Sequence, residues 1–154
     1  MKDNNKSFAN LISAIQENLH RGITLLESLS DEDYSNTSVA PYYASIGSHM
    51  RHVLDVFDCV LTGLKEGRVN LVARQRNSAV ENFTHEGIVY FKRTLERMEE
   101  LEISNFDKVV EVSDDLGFGT VLVNNTISGI LMHAQSHAIH HFSSVGYIIT
   151  NLGI

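Results

Sequence analysis

Residues 127–152 read ISGILMHAQSHAIHHFSSVGYIITNL, and this stretch decides the fold class. Apolar side chains recur in it every three or four residues, the pattern of a helix with one buried face: Ile127, Ile130, Leu131, Ala134, Ala138, Val145, Ile148, Ile149 and Leu152. His141 lies about 40° and His137 about 80° from the middle of this apolar arc, at about 100° per residue. Burying two neighbouring imidazoles without partners is unfavourable. A shared cation would remove that cost, because side chains at i and i+4 reach one point.

Three further segments have the same helical spacing of apolar residues, and they cover about residues 7–29, 45–65 and 78–101. The first two are joined by the polar stretch SDEDYSNTSVAPYY, which contains the single proline, Pro41. The second and third are joined by EGRVNLVARQRN, which we interpret as a connector. The pattern therefore predicts four amphipathic helices.

A short β-rich segment precedes the last helix. Residues 109–112 and 121–123 are rich in valine and flank a glycine-containing turn, which predicts a hairpin. Asn125 or Thr126 is then expected to cap the last helix. Taken together, the predicted fold class is all-α: one domain over residues 1–154, a four-helix bundle with a small β-hairpin or extended loop before the last helix.

Composition excludes several classes of function. The net charge is −7 and lysine and arginine form no cluster, so nucleic acid is not an expected partner. No apolar run reaches the roughly 18 residues of a membrane span, and the first residues carry no apolar signal core, so no membrane association is expected. The single cysteine, Cys59, rules out an internal disulfide and fits a reducing compartment. We therefore expect a cytoplasmic protein.

Eight histidines occur in the chain. Six of them fall in two clusters on predicted helices: His49 and His52 on the second, and His133, His137, His140 and His141 on the fourth. Facing helices of a bundle project side chains toward a common axis, and three imidazoles with one open position are a usual set for a divalent ion. His137 and His141 are two candidate ligands. The third stays open: His49 is about 70° and His52 about 130° from the apolar centre of its helix, but Asp55, one turn after His52, could orient that imidazole.

Other metal and phosphate sites do not fit the sequence. A di-iron bundle needs two Glu-x-x-His motifs, and the pair Glu17 and His20 forms the single match. A zincin helix needs a second histidine three residues after Glu86, where the chain has Val89. Phosphate-binding glycine motifs are absent from the sequence.

Two other reactive or charged features have ordinary explanations. Cys59 lies in a half-apolar helical context, which indicates a buried, inert thiol. Arg74 and Arg76 lie in the connector, where a solvated loop is the favoured interpretation. The alternative is that they hold an anionic substrate by forked hydrogen bonds.

Two stretches resemble the DinB superfamily, the DinB/bacillithiol-transferase-like four-helix bundles. They are Ser-Ile-Gly-Ser-His-Met-Arg-His-Val-Leu-Asp at residues 45–55 and Ser-His-Ala-Ile-His-His at residues 136–141. The resemblance implies a divalent metal site made of His52, His137 and His141, which leaves His49 as the reserve ligand. Zinc or nickel is the expected ion. The stretches around Arg68, Arg74 and Arg76 look like a subfamily signature to which the resemblance attaches no role.

The resemblance also implies an activity. Characterised relatives include thiol-dependent transferases, so the leading expectation is a metal-dependent S-transferase. The metal would hold a low-molecular-weight thiol near a small electrophile. One alternative is a metal-dependent hydrolase; the last helix contains no acidic residue, which leaves Asp55 or residues from other helices as the base. The other is a non-enzymatic metal-binding or stress-response bundle, pairing as a homodimer through an apolar helix face. A closed metal with no cavity beside it would favour this last alternative.

Overall fold

The computed structural model describes residues 2–102, 104 and 106–154. In this part of the chain the protein is mostly helical, with six helices and one three-stranded sheet. In chain order the elements are α1 (Lys2–Glu27), α2 (Asp31–Ser35), α3 (Ile46–Glu66), β1 (Arg68–Asn70), α4 (Ser78–Asn82), α5 (Thr84–Glu99), β2 (Val109–Asp115), β3 (Thr120–Thr126) and α6 (Ile127–Leu152).

The four long helices α1, α3, α5 and α6 correspond to the four predicted segments. The last has the predicted bounds, and the Thr126 hydroxyl caps it by accepting the Gly129 N–H at 3.0 Å. Ser45 caps α3 in the same way by accepting the Ser48 N–H. These capped starts follow directly from local sequence, because a serine or threonine hydroxyl satisfies a free N–H of the first turn.

The predicted four-helix bundle differs from the structure in two helical regions. The polar segment after α1 contains the short helix α2, which begins after a Ser30 cap. The predicted third helix is interrupted at Phe83, which has an extended backbone. The Asp31 carboxylate accepts both the N–H and the hydroxyl of Thr84 at 2.8 Å, so α2 caps the start of α5 from 53 residues away. A contact so distant in sequence leaves no local pattern.

The predicted hairpin is present as β2 and β3, which pair antiparallel with Val112 opposite Val123. The sheet has a third strand that the prediction placed in the connector: β1 pairs parallel with β2. Val69, in the middle of β1, is fully buried. A Cβ at Gly63 would lie 2.6 Å from the Cα of Val69, so the missing side chain lets β1 pack directly on α3.

The packing of the long helices positions the histidines. α3 packs against α6 on one side and α5 on the other, and α1 packs mainly against α5. Inward-facing side chains of all four helices and of the sheet form one apolar core. The seam between α3 and α6 carries both histidine clusters. Within the described residues, no helix is both long and apolar enough to cross a membrane.

Candidate metal centre

Three histidines converge at the seam between α3 and α6. The Nε2 atom of His137 lies 3.1 Å from Nε2 of His52 and 3.0 Å from Nε2 of His141. One nitrogen from each of the three rings lies within 4.8 Å of the other two. Two imidazole nitrogens bound to one tetrahedral zinc ion are about 3.3 Å apart, given Zn–N bonds of about 2.05 Å. The three rings can therefore hold one divalent ion with little movement.

The electrostatic environment favours the form of histidine that binds metal. Burial, followed by the charges of neighbouring histidines and arginines, lowers the pKa of His52 to about 4. Burial is also the main reason why the pKa of His137 and of His141 is lowered to about 4. All three rings are therefore neutral at pH 7, and each has one unprotonated ring nitrogen.

The structure brings His52, rather than His49, into this group. Helical phase favours His49 because it ranks residues by their angle from the centre of the apolar face. The candidate site lies instead on the flank of α3, in the half-exposed seam that faces α6. A histidine about 130° from the apolar centre of α3 is well placed for that seam.

His49 contacts the group from outside. Its Nδ1 atom lies 2.8 Å from Nδ1 of His141, on the side of that ring away from His137. When His141 binds an ion through Nε2, its proton resides on Nδ1 and is donated to His49. This hydrogen bond fixes the orientation of the His141 ring. Burial, followed by the charge of His140, lowers the pKa of His49.

His52 has a different outer neighbour from the one expected. Nη1 of Arg74 lies 2.9 Å from Nδ1 of His52. The interpretation of Arg74 as a solvated loop residue is wrong, because its side chain is half-buried against this ring. Local sequence carries no signal for the contact, since the path of the chain between β1 and α4 creates it.

Asp55 does not orient His52. Its side chain is fully buried, and its oxygens accept hydrogen bonds from Nη1 of Arg51 at 2.8 Å, the Arg76 N–H at 3.2 Å and the Tyr90 hydroxyl at 3.0 Å. These contacts join α3 to the connector and to α5. The expected role of Asp55 at the metal is therefore replaced by a structural one.

The third ring, His137, differs from the other two in its outer nitrogen. Among the described residues, Nδ1 of His137 is buried and makes no hydrogen bond. The outer nitrogens of the three candidate ligands thus differ: one contacts a histidine, one contacts an arginine, and one is buried without a hydrogen bond among the described residues. Outer hydrogen bonds strengthen metal binding, so His141 is the best-supported ligand of the three.

A cavity of about 360 Å³ lies on the His49 side of the centre. Its walls come from the segment before α3, from the start of α3 and from the second half of α6: Val39, Ala40, Pro41, Tyr42, Ala44, His49, His140, Ser143, Ser144, Tyr147 and Ile148. Most of this lining is apolar. His49 both lines the cavity and contacts His141, so it joins the cavity to the candidate centre.

The remaining candidate residues do not belong to the group of three histidines. Cys59 is buried, and burial raises the pKa of its thiol to about 11, so it is protonated at neutral pH. Arg68 pairs with Glu111 at 2.7 Å on the surface. The side chain of Arg76 is exposed. His20, His85, His133 and His140 are also exposed.

Comparison with known proteins supports the resemblance at the level of the fold. The sequence matches no protein-family model and no curated protein. Among solved structures, the chain is similar to the crystal structure of a DinB-like protein, YjoA, from Bacillus subtilis. The TM-score is 0.70 and the identity 19%, over 94% of this chain and 92% of that chain. The protein therefore has a DinB-like fold.

Proposed function

We propose that this protein binds one divalent metal ion through His52, His137 and His141 and transfers a thiol to a small electrophile. The observation that carries the proposal is the convergence of the three Nε2 atoms, at 3.0 and 3.1 Å. Neutral imidazoles are ligands for zinc and nickel, and three of them leave at least one position for an exchangeable ligand. The thiol chemistry rests on the resemblance to the DinB superfamily.

The chain's own residues account for most of what the reaction needs. A bound divalent ion would supply the charge that stabilises a thiolate near neutral pH. His49 holds the His141 ring in position. None of these steps requires a nucleophilic side chain, which agrees with the protonated state of Cys59.

The apolar cavity supports a site that takes a substrate. A closed metal without a neighbouring cavity would favour a non-enzymatic role, and here about 360 Å³ adjoins His49. That volume suits a compact apolar or aromatic molecule. A hydrolase is less well supported, because the carboxylate of Asp55 is taken up by Arg51, Arg76 and Tyr90.

Metal content tests the site. Protein purified without an affinity tag should contain about one divalent ion per chain. The double variant His137→Ala, His141→Ala should lose the ion, whereas His20→Ala, an exposed histidine on α1, should keep it. Unchanged occupancy in the double variant would contradict the site.

Thiol transfer is tested with the cobalt-loaded protein. A thiol that enters the coordination shell changes the cobalt absorption spectrum. With 1-chloro-2,4-dinitrobenzene as electrophile, the thiolate sulfur bonds to the ring carbon. The carbon–chlorine bond then breaks, and chloride leaves with the electron pair. A rate no faster than that of the double variant, or no spectral response to any thiol, would rule out S-transfer.

A further inference from the structure

Arg74 is a half-buried cation that pairs with no acidic side chain in the described part of the chain. Within the described residues it makes no salt bridge, whereas Arg51 pairs with Asp55 and Arg97 with Asp58. Its Nε atom is buried and makes no hydrogen bond. The other acid near the connector is also engaged, since Asp58 accepts from Gln75 as well as from Arg97. A half-buried guanidinium is stabilised by a counter-anion, and no acidic side chain among the described residues supplies one.

Among the described residues, the side chain of Arg74 makes one hydrogen bond, to His52, and metal binding at His52 would disrupt it. A guanidinium only donates, so Nδ1 of His52 must accept, and the proton of that ring then resides on Nε2. If His52 bound an ion through Nε2, its proton would reside on Nδ1 and would face an N–H of Arg74. If His52 bound the ion through Nδ1, that nitrogen could no longer accept from Arg74. Either arrangement releases the guanidinium beside the coordination shell.

We propose that Arg74 leaves His52 when a metal binds and then holds the anionic group of the second ligand, so that the site takes thiols that carry a carboxylate. This inference rests on the proposed function. The Nε and Nη groups of arginine form a fork that matches a carboxylate with two parallel hydrogen bonds. Arg74 already contacts the His52 ring, so its released fork starts beside one of the candidate ligands of the ion.

The test compares two thiols that differ only in charge. Cobalt-loaded protein is titrated with 3-mercaptopropionate and with its neutral amide, 3-mercaptopropionamide, and the absorption change gives each affinity. We expect the acid to bind about tenfold more tightly than the amide, a usual contribution of a charge-assisted fork. Arg74→Met should abolish the preference. Arg76→Ala removes an exposed arginine two residues away and should keep it.

The outcomes separate this inference from the proposed function. If neither thiol changes the spectrum, the proposed function fails. If both thiols bind equally to the wild type, or if the preference for the acid persists in Arg74→Met, metal–thiol binding stands and the role of Arg74 is refuted.

A second measurement needs no thiol. Zinc affinity should rise about tenfold in Arg74→Met, because the variant no longer competes for His52. A fall in affinity with an unchanged melting temperature would show that Arg74 supports the ligand instead, and would overturn the proposal.

Discussion

Replacement of His49 by alanine should weaken metal binding without abolishing it. The variant removes the acceptor that lies 2.8 Å from Nδ1 of His141. Loss of an outer partner of a metal-binding histidine typically lowers affinity by about 10- to 100-fold, or roughly 1.4–2.8 kcal/mol. His49 lines an open cavity, so water can reach the vacated position. We therefore expect a loss near tenfold.

Zinc affinity, measured by competition with a chromogenic chelator, checks this value. His49→Asn should bind within about threefold of the wild type, because its amide oxygen can accept the same proton. His52→Ala should lose far more affinity than His49→Ala. The reverse order, with His49→Ala losing the ion and His52→Ala keeping it, would make His49 the third ligand and refute the assignment. Equal affinity of His49→Ala and wild type would refute the hydrogen bond as a support of His141.

Two further predictions concern stability. The metal-free protein should become less stable as the pH falls from about 6.5 to 4. Burial lowers the pKa of His52, His137 and His141 to about 4 in the folded state. The unfolded chain therefore binds more protons than the folded chain in this pH range. The loss should be on the order of 1 kcal/mol per histidine because the rings are partly exposed, and an equal urea midpoint at pH 7 and pH 5 would contradict it. Asp55→Asn should cost about 2–4 kcal/mol, seen as a lower melting temperature, because it breaks a buried ion pair. The same variant should still bind one ion, and loss of the ion without loss of stability would show that Asp55 acts at the metal.

Helix positions could be predicted where the information is local. The start of α6 follows from a threonine before an apolar repeat, and its end follows from Gly153, whose φ of 72° stops the helix. The break at Phe83 could not be predicted, since Asp31 caps Thr84 across 53 residues. Strand β1 could not be predicted either, because its formation also depends on a contact that is distant in sequence. Three residues become a strand here only because β2 lies beside them.

The candidate site also contains some residues that could be predicted from local sequence and others that depend on distant contacts. The spacing of His137 and His141 on one helix face is a local property and is visible in the sequence. Whether His52 or His49 joins the group depends on how α3 is rotated toward α6. The resemblance implies His52, whereas helical phase favours His49. The contact between Arg74 and His52 spans 22 residues and depends on the path of the connector.

The two sides of the candidate centre differ in chemistry, and that difference bears on what the protein does. On the His141 side, His49 leads to a mostly apolar cavity. On the His52 side lies Arg74, a cation with no acidic partner among the described residues. A site that only stores a metal needs neither feature. The proposed transfer reaction would use both, because an uncharged electrophile would have to reach the sulfur of an anionic thiol held at the ion. The asymmetry around the three similar rings is therefore the strongest structural argument for a two-substrate site.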